Sequence, residues 1–188
     1  VASMPDCVAH HQFGQDVLDR LPQQLRFQAA AYPREYETGL QGPDIFFFYQ
    51  PYHKNSVAQY GIDRHREPGA RMFLPLLEQA YEKAALAYLM GLVCHYTLDA
   101  CCHPYVNRHS GGMPGHHRME AAYDRHLLSR WKEPVPRHCL AHASGMDFEA
   151  MATLWPGISA ATVRACAKSK RFYTWLMDRR TLISALEA

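Results

Sequence analysis

Residues 91–104 read Gly-Leu-Val-Cys-His-Tyr-Thr-Leu-Asp-Ala-Cys-Cys-His-Pro and set His95, Asp99 and His103 four residues apart. On an α-helix each such step advances only about 40° around the axis, so the three side chains form one polar seam on an otherwise apolar rod. Buried imidazoles and carboxylates cost several kcal/mol unless they are paired or coordinated. A divalent metal ion accepts all three at once. The chain must then bring its remaining nitrogen and oxygen ligands to this helix from elsewhere.

The 188 residues suffice for one well-buried domain, and no break in composition divides them. Lys and Arg number 20 against 18 Asp and Glu, a net charge of +2, so no strong field advertises nucleic acid or an anionic membrane. Histidine is the unusual component: there are 12, several beside Asp, Glu, Gly or Pro rather than run together as a tag, which points to metal chemistry. The cysteines, Cys7, Cys94, Cys101, Cys102, Cys139 and Cys166, include no Cys-x-x-Cys pair and read as reduced thiols. No cleavable secretory signal opens the sequence, and Val1-Ala2-Ser3 ahead of Met4 reads as a remnant of processing. A cytoplasmic location is the expectation. The apolar run over residues 84–94 is shorter than the ~20 residues of a bilayer span and is interrupted by His95 and Asp99, so no transmembrane segment is expected.

Taken in order, Asp6 can cap a first helix ending near Leu21, with Phe13, Val17 and Leu18 at helical spacing. His10 falls on its apolar side and His11 nearer the flank. Residues 23–32 read as a second helix stopped by Pro33, and residues 35–39 as a short turn of helix. Gly42-Pro43-Asp44 then fixes a tight turn at the mouth of Ile45-Phe46-Phe47-Phe48-Tyr49. Asp44 is either the solvated cap of a helix beginning at Ile45 or a ligand aimed at the seam. Residues 50–70, with His53 and His65, read as an ordered loop lining a site. A helix over residues 71–82 takes Pro75 in its first turn. The central helix spans residues 83–102, and Pro104 ends it. Residues 105–115 read as a Gly-rich loop, followed by a helix on which His116 and Glu120 share one face while His117 points elsewhere. Residues 133–188 promise helices around 148–154, 160–168 and 171–186. No constellation is legible there, and Trp155, Phe172, Tyr173, Trp175 and Leu176 read as packing surface.

The set His10, Asp44, His65, His95, Asp99, His103, His116 and Glu120 is one of N and O ligands with no thiolate pair. It suits zinc or a similar divalent ion, and Asp99, with two oxygens, can bridge. On Gly-Pro-Asp44, Gly-x-x-x-His95-x-x-x-Asp99 and His116-x-x-x-Glu120, supported by an early helix bearing His10, residues 5–130 resemble the bacterial zinc-dependent phospholipases C and the related single-strand-specific zinc nucleases. The resemblance implies a compact all-α domain with a cluster of two or three zinc ions between helices. Asp44, His65, His95 and Asp99 would hold one ion, His103, His116 and Glu120 a second, and His10 with Asp99 a third. In the phospholipases the mature N-terminal amino group also ligates the third ion, whereas here Val1 precedes Met4. His53 and His11 stand as alternatives to His65 and His10.

The activity implied is metal-assisted hydrolysis of a phosphate ester, with a small phosphate-ester or phospholipid head-group substrate and Asp44 orienting or deprotonating the attacking water. Phe46, Phe47, Phe48, Tyr49 and Tyr52 either line a head-group pocket or belong to the core. A nuclease of the same fold predicts a base-stacking pocket, which the small net charge disfavours, and no stable nucleic-acid complex is expected. A non-catalytic metal-stabilised scaffold predicts closed coordination. A di-iron carboxylate oxidase fits less well, because the pairs are His-x-x-x-Asp and His-x-x-x-Glu rather than repeated Glu-x-x-His.

Overall fold

The computed structural model describes residues 7–132 and 137–186. Among the described residues all regular structure is helical: nine α-helices and two short 3-10 helices. In chain order they are α1 (Cys7–Leu18), α2 (Gln23–Ala31), α3 (Pro33–Gly39), a 3-10 helix (Gly42–Phe48), α4 (Ser56–His65), α5 (Gly69–Gln79), α6 (Lys83–His109), α7 (Met113–Arg130), a second 3-10 helix (Arg137–Leu140), α8 (Phe148–Ala152) and α9 (Ala160–Leu186). Asp6, the expected cap of α1, lies outside the described residues.

Helix α6 is the axis on which the others assemble. By length and composition it could cross a membrane, yet its first half is core: Ala85, Ala87, Tyr88, Leu89 and Leu92 are all buried. On one side it meets the first 3-10 helix, α8 and α9 through Ile45, Phe46, Met151, Trp155 and Val163. On another it meets α2 and α3 through Ala29, Tyr36 and Leu40. A smaller cluster of Cys7, Val8 and Leu140 joins α1 to the second 3-10 helix. Where α3 crosses α6 the backbones touch: a Cβ built on Gly39 would sit 3.0 Å from the Gly91 Cα. The buried Tyr36 hydroxyl donates to the Gly14 carbonyl at 2.8 Å, which ties α3 to α1. Tyr36→Phe is expected to cost about 1 kcal/mol and to lower Tm by about 2–4 °C, measured by calorimetry. An unchanged Tm would mean that this bond adds nothing to stability.

Several boundaries differ from those expected. The interval 50–70 is no loop: it holds α4, whose N-cap Asn55 accepts from Ala58 N at 2.8 Å. Gly61 within α4 lets the helix pack against the Pro43 carbonyl and Phe46, with which a Cβ would come within 3.1 Å. Pro75 lies inside α5 rather than in its first turn. Helix α6 runs past Pro104 to His109, which reduces the expected loop of residues 105–115 to the few residues before Met113. Pro104 deletes the bond to the Ala100 carbonyl, and Ala100 lies on the exposed side of the helix. Gly111 and Gly112, at φ 65° and 117°, then make the reversal into α7. The C-terminal helices expected over 160–168 and 171–186 are one, α9. Trp155 is core, whereas Phe172 and Trp175 stand on the surface. The aromatic run divides likewise, with Phe46 and Phe48 buried and Tyr52 exposed.

Candidate metal centre

The seam forms as its spacing requires, and because α6 continues through Pro104 it gains a fourth member, Asn107. Around it the other elements deliver their polar groups: α1 brings His10, the first 3-10 helix Asp44, the last residue of α4 His65, and α7 His116 and Glu120. Asp44 is buried and paired with His65 at 2.7 Å, so it is not a solvated helix cap.

Asp99 sits at the middle. Its Oδ1 lies 3.3 Å from His10 Nε2 and 3.4 Å from His103 Nε2, and its Oδ2 lies 3.3 Å from His95 Nε2. The Glu120 Oε1 is 2.8 Å from His116 Nε2 and 3.6 Å from His103 Nε2. Three triads, His10 with His95 and Asp99, Asp44 with His65 and His95, and His103 with His116 and Glu120, each bring their ligand atoms within 4.8 Å of one another. The rings of His10 and His95 stack with centroids 4.2 Å apart. His53 is exposed and lies in none of these triads. His11 turns towards Trp131, their centroids 6.0 Å apart. His117 Nδ1 comes only within 3.7 Å of the second Glu120 oxygen.

The ring nitrogens facing outward show what the inner ones can do. His95 Nδ1 donates to the Leu40 carbonyl at 3.1 Å, His65 Nδ1 to the Gly61 carbonyl at 2.7 Å, and His116 Nδ1 to the Asn107 Oδ1 at 2.9 Å. Each acceptor is a carbonyl oxygen and accepts only, so each ring carries its proton on Nδ1 when neutral and presents a lone pair from Nε2. At His95 that lone pair is buried, makes no hydrogen bond and faces a carboxylate oxygen. Two electron pairs facing one another out of water call for a cation between them, and imidazoles oriented through their outer nitrogen are the usual preparation for one. The residues present therefore fit a divalent ion. Gly42, at φ 55°, lets the turn lie against the His95 ring, with which any Cβ would collide.

Burial works against an ionised Asp99, but the rings of His95 and His10 overcome it and hold the carboxyl far below its ordinary range. Asp44 is likewise held low: burial opposes ionisation, and the hydrogen bond and charge of His65 outweigh it. Burial also lowers Glu120's tendency to ionise, and His103 and His116 reverse that. His10 is pushed down by burial and by His95. Burial pulls the same way at His65, but Asp44 outweighs it and raises that ring to about 9.

Two participants escape a reading by residue type. Asn107 orients His116, and its signal is the same spacing that marks the seam, four residues beyond His103. Buried Asp124, one turn after Glu120 on α7, accepts from Val8 N and Ala9 N at 3.3 and 3.0 Å and so anchors the start of the helix that carries His10. A cavity of about 380 Å³ opens on the seam at His65, His95, Asp99 and His103, with Arg64, Tyr96 and Asn107 on its other walls.

No curated protein and no solved structure matches the chain. A family model described as zinc dependent phospholipase C matches residues 9–178, a span that contains all eight residues of the three triads. On that match the chain belongs to the zinc-dependent phospholipase C family.

Proposed function

We propose that this chain hydrolyses a phosphodiester with a polar head group, using zinc held by Asp44, His65, His95 and Asp99, by His103, His116 and Glu120, and by His10 with Asp99. One observation carries the reading: the buried Nε2 of His95, its ring proton committed to the Leu40 carbonyl, faces the Asp99 carboxylate at 3.3 Å. Zinc bound there supplies Lewis acidity, polarising phosphoryl oxygens and acidifying water. The protein supplies position. His95, with one lone pair, would hold one ion, while the two oxygens of Asp99 would allow it to serve two. Asp44, held ionised, orients the attacking water through the oxygen that His65 leaves free. Its low proton affinity suits orientation better than storage of the proton. In the cavity of about 380 Å³, Asn107 and Arg64, the latter also paired with Glu67 at 2.7 Å, supply donors to phosphate oxygens.

The test is metal content by plasma mass spectrometry on untagged protein prepared without chelator, with turnover of bis-p-nitrophenyl phosphate and p-nitrophenylphosphorylcholine measured on the same sample. Stoichiometric zinc with chelator-sensitive turnover supports the reading. Folded protein that neither contains nor takes up zinc overturns it. Asp44→Asn is expected to lower kcat by about 10²-fold, and a variant with the parent kcat excludes the assigned role.

His65 would hold zinc only after giving up the proton that Asp44 stabilises on it. A folded pKa raised to about 9 from 6.5 means that this ion pair stabilises the metal-free protein fully below 6.5, and that its contribution disappears as pH rises through about 9. The sign for zinc is opposite. Apparent affinity should climb with pH and level off above about 9. Chelator-competition titrations across that range measure it, and pH-independent affinity would exclude His65 as a ligand.

A further inference from the structure

Helix α9 carries a buried lysine. Lys170 is 3% exposed; its Nζ lies 5.5 Å from the centre of the Phe48 ring and donates to the side-chain oxygen of Gln41, itself 4% exposed. Burial lowers the proton affinity of this amine, and the charges around it, Asp44 among them, only partly offset that. Methionine would fill much the same space without the cost of burying a polar group. Stability is therefore a poor account of the lysine, and what it touches gives a better one. Gln41 immediately precedes Gly42, and Phe48 ends the 3-10 helix Gly42–Phe48, so a single nitrogen grips both ends of the segment that carries Asp44. Seven residues is long for a 3-10 helix, whose hydrogen bonds are poorer than those of an α-helix, so its shape needs support from outside. The segment places two groups at once. Gly42 lies against the His95 ring, and Asp44, two residues on, meets His65 at 2.7 Å.

We propose that Lys170 is a positioning residue for the metal centre: through Gln41 and Phe48 it fixes the segment that delivers Asp44, and so sets the affinity for the zinc ion that Asp44 holds and the turnover that depends on that ion. The proposal rests on the reading of the site as a zinc-dependent phosphoric-ester hydrolase. Misplacing a group at a reacting centre by about 1 Å can cost about 10²-fold in rate, and loss of an outer partner of a metal ligand costs about 10–100-fold in affinity or activity. Lys170 acts through one residue more, so the lower end, about tenfold in each, is expected.

Lys170→Met, Gln41→Leu and the two together separate position from stability. Either single change strands a polar partner in the core and should lower Tm. The pair replaces a buried hydrogen bond by apolar side chains of similar shape, which brings Tm back near that of the parent, but apolar contact has no direction and no longer locates the segment. On the double variant, calorimetry of the metal-free chain should show a parent Tm, while zinc affinity by chelator competition and turnover of bis-p-nitrophenyl phosphate both stay about tenfold below the parent. Asp44→Asn supplies a second control. Because Lys170 acts through Asp44, adding Lys170→Met to Asp44→Asn should lower zinc affinity no further. Parent zinc affinity in Lys170→Met, or an equal further loss in the Asp44→Asn background, overturns the proposal. So does a double variant that recovers affinity together with Tm, because the lysine then acts on the fold alone. The zinc readout does not depend on turnover: a parent chain that binds zinc and hydrolyses nothing overturns the hydrolase, and the role of Lys170 is then decided by affinity.

Discussion

Replacing Asp99 with asparagine is expected to remove at least one zinc ion per chain and to lower phosphodiester turnover about 10³-fold, well beyond the about 10–100-fold that loss of an outer partner of a metal ligand causes. The reason is the position of its carboxylate. Oδ1 faces His10 and His103 and Oδ2 faces His95, so one group supplies negative charge to three imidazoles that, when neutral, carry none. Asparagine keeps the shape, removes the charge, and offers an amide N–H that can donate to the unpartnered Nε2 of His95. The metal-free fold should therefore survive the change, with the zinc lost. Alanine gives a different result. It offers that nitrogen no donor, so Asp99→Ala should lose zinc and, by the about 1–3 kcal/mol of an unsatisfied buried polar group, be less stable than Asp99→Asn. Plasma mass spectrometry and denaturant unfolding on the two variants separate the contributions, and parent zinc content in Asp99→Asn would end the bridging assignment.

That contrast bears on what a single sequence discloses. The period of a helix does not depend on its surroundings, so His95, Asp99 and His103, and likewise His116 and Glu120, could be placed on common faces from spacing alone. Asp44 was legible because Gly42 and Pro43 restrict the chain just before it. Asn107 lies on the same period, yet reading Pro104 as a terminus cut the seam one residue type short. A proline's cost depends on whether the carbonyl it abandons can reach water, which is a fact about folding and not about the residue. Helix α4 was hidden by Gly61 and by Pro51 and Pro68 on either side, and only Asn55 in its N-cap role marked its start. The acceptors that orient His95 and His65 are backbone carbonyls of Leu40 and Gly61, which no side-chain pattern encodes. Cavities between α6 and its neighbours depend on how far apart helices settle, and periodicity fixes only the faces that meet.

The crossing of α3 over α6 is where that distance is set, and it carries the second large effect. Gly39 and Gly91 leave no room for a Cβ: one added at Gly91 would run onto the Tyr36 carbonyl oxygen and come within 2.8 Å of the Leu40 nitrogen. These are backbone atoms, so no rotamer change relieves the collision, and Gly91→Ala must push the helices apart. Overpacking costs about 1–3 kcal/mol where side chains can adjust; here the upper end applies, and Tm should fall by about 6–12 °C at about 2–4 °C per kcal/mol. The consequence reaches the metal centre through a single residue. Leu40, at the end of α3, is the acceptor that fixes the His95 ring, and its nitrogen is among the atoms displaced. A helix separation of a few tenths of an ångström therefore lengthens the bond that holds Nε2 towards Asp99, and zinc affinity should fall with the melting temperature. Differential scanning calorimetry and chelator competition on Gly91→Ala measure the two together. A parent Tm would show that the helices do not meet backbone to backbone, and a lowered Tm with undiminished zinc affinity would show that Leu40 is not what aims His95.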